Sequence, residues 1–200
     1  MSNTTLTRDT ATARKAMIDS QLRTSGVNEE YVLSRMMNVP REDFLPADKA
    51  DLAYIDRSTA LGADTHLASP LFYGKLLLEA GPRPADRVLV VEAGTGYLAE
   101  LMRPLVAEVT TVSASDAAKG ELPDGQYSLV VVDGAIEDLT DSLAATVEEG
   151  GRIVSGLLLR DVTRLASGRK IGGQVSLMTV EDIGIPVLHS FDKKKGWSFS

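Results

Sequence analysis

With 200 residues, 44% of them hydrophobic and 5% aromatic, the chain can bury one sizeable core filled by Val, Leu and Ala, which suits an α/β protein. Its 21 Lys and Arg against 28 Asp and Glu give a net charge of −7, which argues against nucleic acid as a partner. The lack of cysteine excludes disulfides, thiolate nucleophiles and thiolate metal ligands.

The first twelve residues are polar and match neither a signal peptide nor a membrane anchor. No apolar run approaches a bilayer span, so the expectation is a cytoplasmic protein with no membrane partner. Helical spacing marks residues 13–22 and 29–38, with Gly26 between them and Asn28 as the cap of the second helix. Val39-Pro40-Arg41 stops that helix, because a residue before proline is pushed away from helical angles. A loop follows through Phe44-Leu45-Pro46, residues 64–70 read as irregular, and 71–80 resume helical spacing up to Gly81-Pro82. From residue 87 onward strands are expected at 87–92, 108–112, 127–132 and 152–158, with helices at 97–106 and 136–147. Pro104 predicts a kink or an early end to the first of these helices. Residues 162–165 and 174–180 flank Ser-Gly-Arg-Lys-Ile-Gly-Gly and read as an antiparallel hairpin. Trp197 and Phe199 alternate as a last edge strand would. The expected organisation is a single domain, with residues 1–80 a helical, substrate-side region and 81–200 the α/β core.

The most informative stretch is residues 88–97, Val-Leu-Val-Val-Glu-Ala-Gly-Thr-Gly-Tyr. Four aliphatic residues predict a strand buried on both faces, and Gly94 and Gly96 mark a tight turn or a close approach to a ligand before a helix. Glu92 stands where such loops carry their first glycine. It could bind a cation or an amine, repel a cofactor carboxylate, or point to solvent.

Together with Met17, Gln21-Leu22, Val32-Leu33, Pro40-Arg41-Glu42-x-Phe44-x-Pro46, Ala53-Tyr54-x-Asp56 and Leu61-Gly62, this motif resembles the protein-L-isoaspartate O-methyltransferases over nearly the whole chain. The resemblance implies a Rossmann-like, mostly parallel sheet that binds S-adenosylmethionine, and isoaspartyl-containing proteins or peptides as methyl acceptors. It also exposes departures. The family's Gly-x-Gly-x-Gly-Tyr aligns with Glu92-Ala93-Gly94-Thr95-Gly96-Tyr97, and its acidic residue in the first strand with Val90. The acid that holds the ribose hydroxyls aligns with Ser113, which offers a hydroxyl and no charge. The substrate segment aligns with His66-Leu67-Ala68-Ser69-Pro70, so its serine becomes Ala68.

Between Ser113 and Gln126 the chain has 14 residues, where the family places a helix, a strand and a connection. A parallel crossover needs about a dozen residues by itself, so one short helix at 114–120 is all that fits. The sheet is therefore expected to be truncated, with residues 108–113 as a free edge that a homodimer would cover.

Candidate cofactor contacts are Glu92, Gly94, Thr95, Gly96, Ser113 and Asp133, the last at the carboxyl edge of the sheet or in an ordinary Asp-Gly turn. Candidate substrate contacts are Leu61, Gly62, His66, Ser69 and Pro70. His66 is the one candidate proton carrier, and a surface-loop histidine is the preferred alternative because no second acid or nucleophile pairs with it. His189 and scattered acids make no metal site, and Lys193-Lys194-Lys195 reads as a solvated turn. The fold expected is thus a truncated methyltransferase-type α/β sheet with an N-terminal helical extension and a C-terminal antiparallel hairpin. The function expected is a homologue of the family with weakened or lost S-adenosylmethionine binding. The alternative is a non-catalytic binding or scaffold protein without a cofactor.

Overall fold

Strands with aliphatic side chains on both faces must be covered on both faces, and that requirement sets the architecture. The computed structural model describes residues 3–193. Helix α1 (Asn3–Met17) runs into a π-helical turn (Ile18–Leu22), and α2 (Glu30–Asn38) follows. Strands β1 (Thr59–Gly62) and β2 (Thr65–Leu67) form a small antiparallel hairpin ahead of α3 (Pro70–Ala80). The core then alternates β3 (Arg87–Glu92), α4 (Tyr97–Met102), β4 (Glu108–Ser113), α5 (Ala114–Lys119), β5 (Tyr127–Ile136), α6 (Asp141–Thr146) and β6 (Val147–Leu159). It closes with β7 (Val162–Ile171), β8 (Gln174–Val175) and β9 (Met178–Asp182).

The seven-stranded sheet has the order β4-β3-β5-β6-β7-β8, with β9 also paired to β7. Strands β4, β3, β5 and β6 are mutually parallel, whereas β7 is antiparallel to β6. Period-two alternation divides their side chains between two cores. Val88, Val90, Leu129, Val131 and Val154 pack with the N-terminal helices and α4 on one face. Leu89, Val91, Val130, Val132 and Ile153 pack beneath α5 and α6 on the other. Each such side chain, removed from water, contributes roughly 2 kcal/mol. As the short crossover requires, a single six-residue helix, α5, follows β4, and β4 pairs with β3 alone at the edge of the sheet.

Several local expectations change. Helix α2 begins one residue after Glu29, so Asn28 is not its cap. The 64–70 stretch is not irregular: it contains β2 and then Ser69, whose side chain accepts the Phe72 N–H and caps α3 with Pro70 in its first turn. Helix α4 ends at Met102 and a 3-10 turn carries Pro104, the early stop that proline predicts. Strand β5 runs through Ile136 because Ala135 and Ile136 continue the pairing with β6, which leaves 141–146 for α6. In the C-terminal hairpin, β7 continues through Ser167 and Gly168 as the antiparallel partner of β6. Its turns are Arg160-Asp161, both at positive φ (51° and 62°), and Gly172-Gly173. Trp197, Phe199, Lys194 and Lys195 lie outside the described residues.

At the amino ends of the strands, buried Asp86 accepts the Arg83 N–H (2.8 Å), the Ser128 hydroxyl (2.8 Å) and Arg152 Nη2 (2.7 Å), joining β3, β5 and β6. Burial alone would raise its carboxyl, but those donors outweigh it and hold the group below the ordinary 3.8. A depressed carboxyl stabilises the fold above its unfolded value and loses that contribution as pH falls below about 4. Asp86→Ala is expected to cost about 2 kcal/mol in urea denaturation at pH 7 and to flatten the acid limb of the stability–pH curve.

Candidate functional site

The carboxyl ends of β3, β4 and β5 converge, with Glu92 opposite Ser113 in the β3–β4 ladder. Beyond its last pairing with β3, at Val132, strand β5 carries Asp133 and Gly134 alongside the glycine loop. Five of the cofactor candidates are thus brought to one rim and the sixth, Asp133, lies buried beneath it.

Their hydrogen bonds run within the chain. The Gly96 N–H donates to Glu92 Oε2 at 3.1 Å, so the carboxylate folds back into its own loop and caps the start of α4. A negative group is favoured there by the free amides and the helix dipole. Glu92 is thereby half-buried and turned into its own loop rather than outward to solvent. Burial raises its pKa, opposed by the Gly96 and Ala99 amides and by Arg103. Gly94 and Gly96 both sit at positive φ (84° and 77°). A Cβ on Gly94 would lie 2.9 Å from Thr65 Cγ2, because β2 lies across the loop and the His66 N–H donates to Ala93 O at 3.0 Å. Thr95 Oγ1 accepts the Tyr97 N–H. The Ser113 hydroxyl accepts the Asp116 N–H at 3.1 Å and caps α5.

Asp133 belongs to no turn. It is fully buried inside β5, where Oδ2 accepts the Tyr73 hydroxyl at 3.2 Å. Burial pushes its carboxyl well above the ordinary range and the Glu92 charge adds to that, against Tyr73, Arg41 and the Ala93 amide. His66, expected on a surface loop, is 4% exposed on β2. Its Nε2 lies 3.0 Å from Asp133 O, and because a carbonyl only accepts, that nitrogen carries the proton. Burial lowers His66 to about 4, so the ring is neutral at pH 7.

Arg41 was legible only as a motif letter, yet it joins these parts. It is 1% exposed, donates from Nε to Ala53 O (2.6 Å) and from Nη2 to Ala68 O (2.7 Å), and lies over the rings of Tyr73 and Tyr97. The Ala68 N–H in turn donates to the Tyr73 hydroxyl. Arg41 Nη1, Asp133 Oδ1 and Glu92 Oε1 are buried without a hydrogen-bond partner among the described residues. Nearby, Arg14, Glu42 and Tyr54 form a second network: Arg14 binds Glu42 at 2.9 Å and Tyr54 at 2.6 Å, and Tyr54 donates to Glu42.

Of the substrate candidates, His66 and Ser69 line a cleft of about 560 Å³ with Ser58, Ala60, Leu71 and Ile185. Pro70 is buried at the head of α3, while Leu61 and Gly62 lie on β1 outside the lining of that cleft. Asp64, in the β1–β2 turn, was visible in the sequence only as the start of an irregular stretch, yet it accepts the His189 N–H from 125 positions away. Among the described residues no group of three or more His, Asp or Glu could hold a metal, and no helix is long and apolar enough to cross a membrane.

A sequence model of the family described as Protein-L-isoaspartate(D-aspartate) O-methyltransferase (PCMT) matches residues 12–114. A protein-L-isoaspartate O-methyltransferase of Koribacter versatilis is 29% identical over 193 residues, covering 84% of this chain and 87% of its own. One of Methanoculleus marisnigri is 26% identical over 209 residues, covering 92% and 93%. Among solved structures, a Plasmodium falciparum chain described as such a methyltransferase in complex with S-adenosyl-L-homocysteine superposes with a TM-score of 0.68 at 17% identity, covering 88% of this chain and 97% of its own. At that identity the likeness concerns the fold.

His66 makes the site sensitive to acid. With a folded value near 4 against an ordinary 6.5, the unfolded chain takes up the proton first, so stability is full above pH 6.5 and is lost as pH falls toward 4. The loss amounts to about 3 kcal/mol at 1.4 kcal/mol per unit. Urea denaturation between pH 7 and pH 4 is expected to show this slope in the wild type and to lack it in His66→Gln.

Proposed function

The chain belongs to the protein-L-isoaspartate(D-aspartate) O-methyltransferase family, and from that premise we propose that it is a homologue whose affinity for S-adenosylmethionine is weakened by its own side chains. The observation that carries this reading is the Gly96 amide donated to Glu92. Glycine loops at helix starts recognise ligands through such amides, and an internal carboxylate both occupies the donor and repels a second one. Thr65 against Gly94 and the engagement of Ser113 in capping α5 act in the same sense. These contacts support a loop that, as folded, fits the cofactor poorly.

For the acceptor we propose isoaspartyl-containing proteins or peptides at the cleft beside His66 and Ser69, whose lining includes Arg57, a cation suited to a carboxylate. Neutral His66, already committed to Asp133 O, would bound this cleft rather than carry a proton. A second reading, a binding protein that keeps the fold without transferring methyl groups, is favoured by the burial of Asp133, which pushes its carboxyl well above the ordinary range.

Calorimetric titration decides between them. Glu92→Gly, which restores the family's residue and frees the Gly96 amide, is expected to bind S-adenosylmethionine about tenfold more tightly than the wild type. Micromolar binding by the wild type, or no gain in the variant, overturns the weakened-cofactor reading. We also propose a homodimer through the free edge of β4. Sedimentation at micromolar concentration is expected to give a dimer, and a monomer removes this part of the proposal.

A further inference from the structure

Open α/β sheets take ligands in the crevice beyond the carboxyl ends of their strands. Here part of that crevice holds a segment of the chain itself. The Ala135 N–H donates to Pro186 O at 2.7 Å and the Leu188 N–H to Ala135 O at 2.8 Å, laying residues 186–188 parallel to the end of β5. Leu188 is fully buried and Phe191 is 3% exposed, in one apolar cluster with Ala93, Ala114 and Ala117. The small residues make a shallow bed at the ends of β3 and β4, and the two large ones fill it. A Cβ on Gly134 would lie 2.7 Å from Leu188 Cγ, so the absence of a side chain at that position is what admits Leu188.

The segment is pinned by polar contacts on either side. Asp64 Oδ1 accepts the His189 N–H at 2.6 Å, and Oδ2 accepts the Ser190 N–H at 2.8 Å as well as the Ser190 hydroxyl. Beyond β5, the Lys193 N–H donates to Glu137 Oε2 at 2.6 Å. The β1–β2 turn, which lies next to the glycine loop through Thr65, therefore also holds the segment across the rim.

We propose that residues 186–192 are an intramolecular occupant of the cofactor crevice, latched by Asp64, and that a nucleoside-bearing ligand binds by displacing them. This rests on the reading of the crevice as a weakened S-adenosylmethionine site. The apparent affinity is then the intrinsic one reduced by the fraction of molecules with the segment released. The regulation it implies is local: whatever holds or frees the β1–β2 turn sets how open the crevice is.

Asp64 sits at a φ of 49°, which glycine adopts freely, so Asp64→Gly removes the latch contacts while relieving the backbone. Titration of the full chain with S-adenosylhomocysteine is expected to show binding about tenfold tighter in Asp64→Gly than in the wild type. Hydrogen exchange at the Ala135, Leu188, His189 and Ser190 amides is expected to speed up in the saturated protein. Equal or weaker affinity in Asp64→Gly, or undiminished protection of those amides at saturation, overturns the proposal. Glu92→Gly separates the two readings. If it binds and Asp64→Gly brings no gain, the latch fails and the cofactor reading stands; if neither variant binds at millimolar ligand, both fail.

Discussion

A buried guanidinium without a carboxylate partner holds this structure together. Arg41 brings its guanidinium to two carbonyl oxygens and two aromatic faces, and each of these contacts belongs to a different part of the chain. Ala53 O lies in the loop after α2, Ala68 O in the lead-in to α3, and the Tyr73 and Tyr97 rings on α3 and α4. A buried cation is costly unless its hydrogens are met, and here backbone carbonyls meet Nε and Nη2 while Nη1 has no partner among the described residues. Tyr73, whose ring lies under Arg41, turns its hydroxyl to Asp133.

The two ends of the sheet use acids in opposite ways. At the amino ends, Asp86 is surrounded by donors and remains an anion that ties three strands. At the carboxyl ends, Asp133 has one hydroxyl donor and a second acid close by, and its carboxyl is driven toward the neutral form. The first arrangement is that of a structural clamp. The second leaves polar capacity unspent, with Asp133 Oδ1 and Glu92 Oε1 both lacking partners among the described residues, in the part of the fold where its relatives' signature loop lies.

Much of the fold was legible because aliphatic runs and glycine breaks are local signals. The strand at 87–92 and the short crossover follow from hydrophobic pattern and chain length, and the edge position of β4 from setting that crossover against the resembled family. What the sequence concealed depends on contacts between distant residues. Asp133-Gly134 has the letters of a turn, but Pro186 and Leu188 extend the pairing at Ala135 and hold it as strand. His66 has the letters of a loop, but β1 and Asp133 bury it. Gly168 falls inside β7 although its neighbours suggest a connection, because a full ladder from β6 is there to pair with it. Glu92 was visible as an oddity, while its partner, an amide four residues on, became clear only with the turn itself in view.

The bonds from Asp64 to His189 and Ser190 join residues 125 and 126 positions apart. Chains are synthesised from the amino end and their earlier parts can fold first. The glycine loop, β4 and α5 are therefore synthesised before residues 186–192 exist to pack on them. The cluster that joins Ala93, Ala114 and Ala117 to Leu188 and Phe191 can close only once both parts of the chain have been made. The packing of residues 186–192 thus ties late-made chain to elements made much earlier, an order set by the sequence itself.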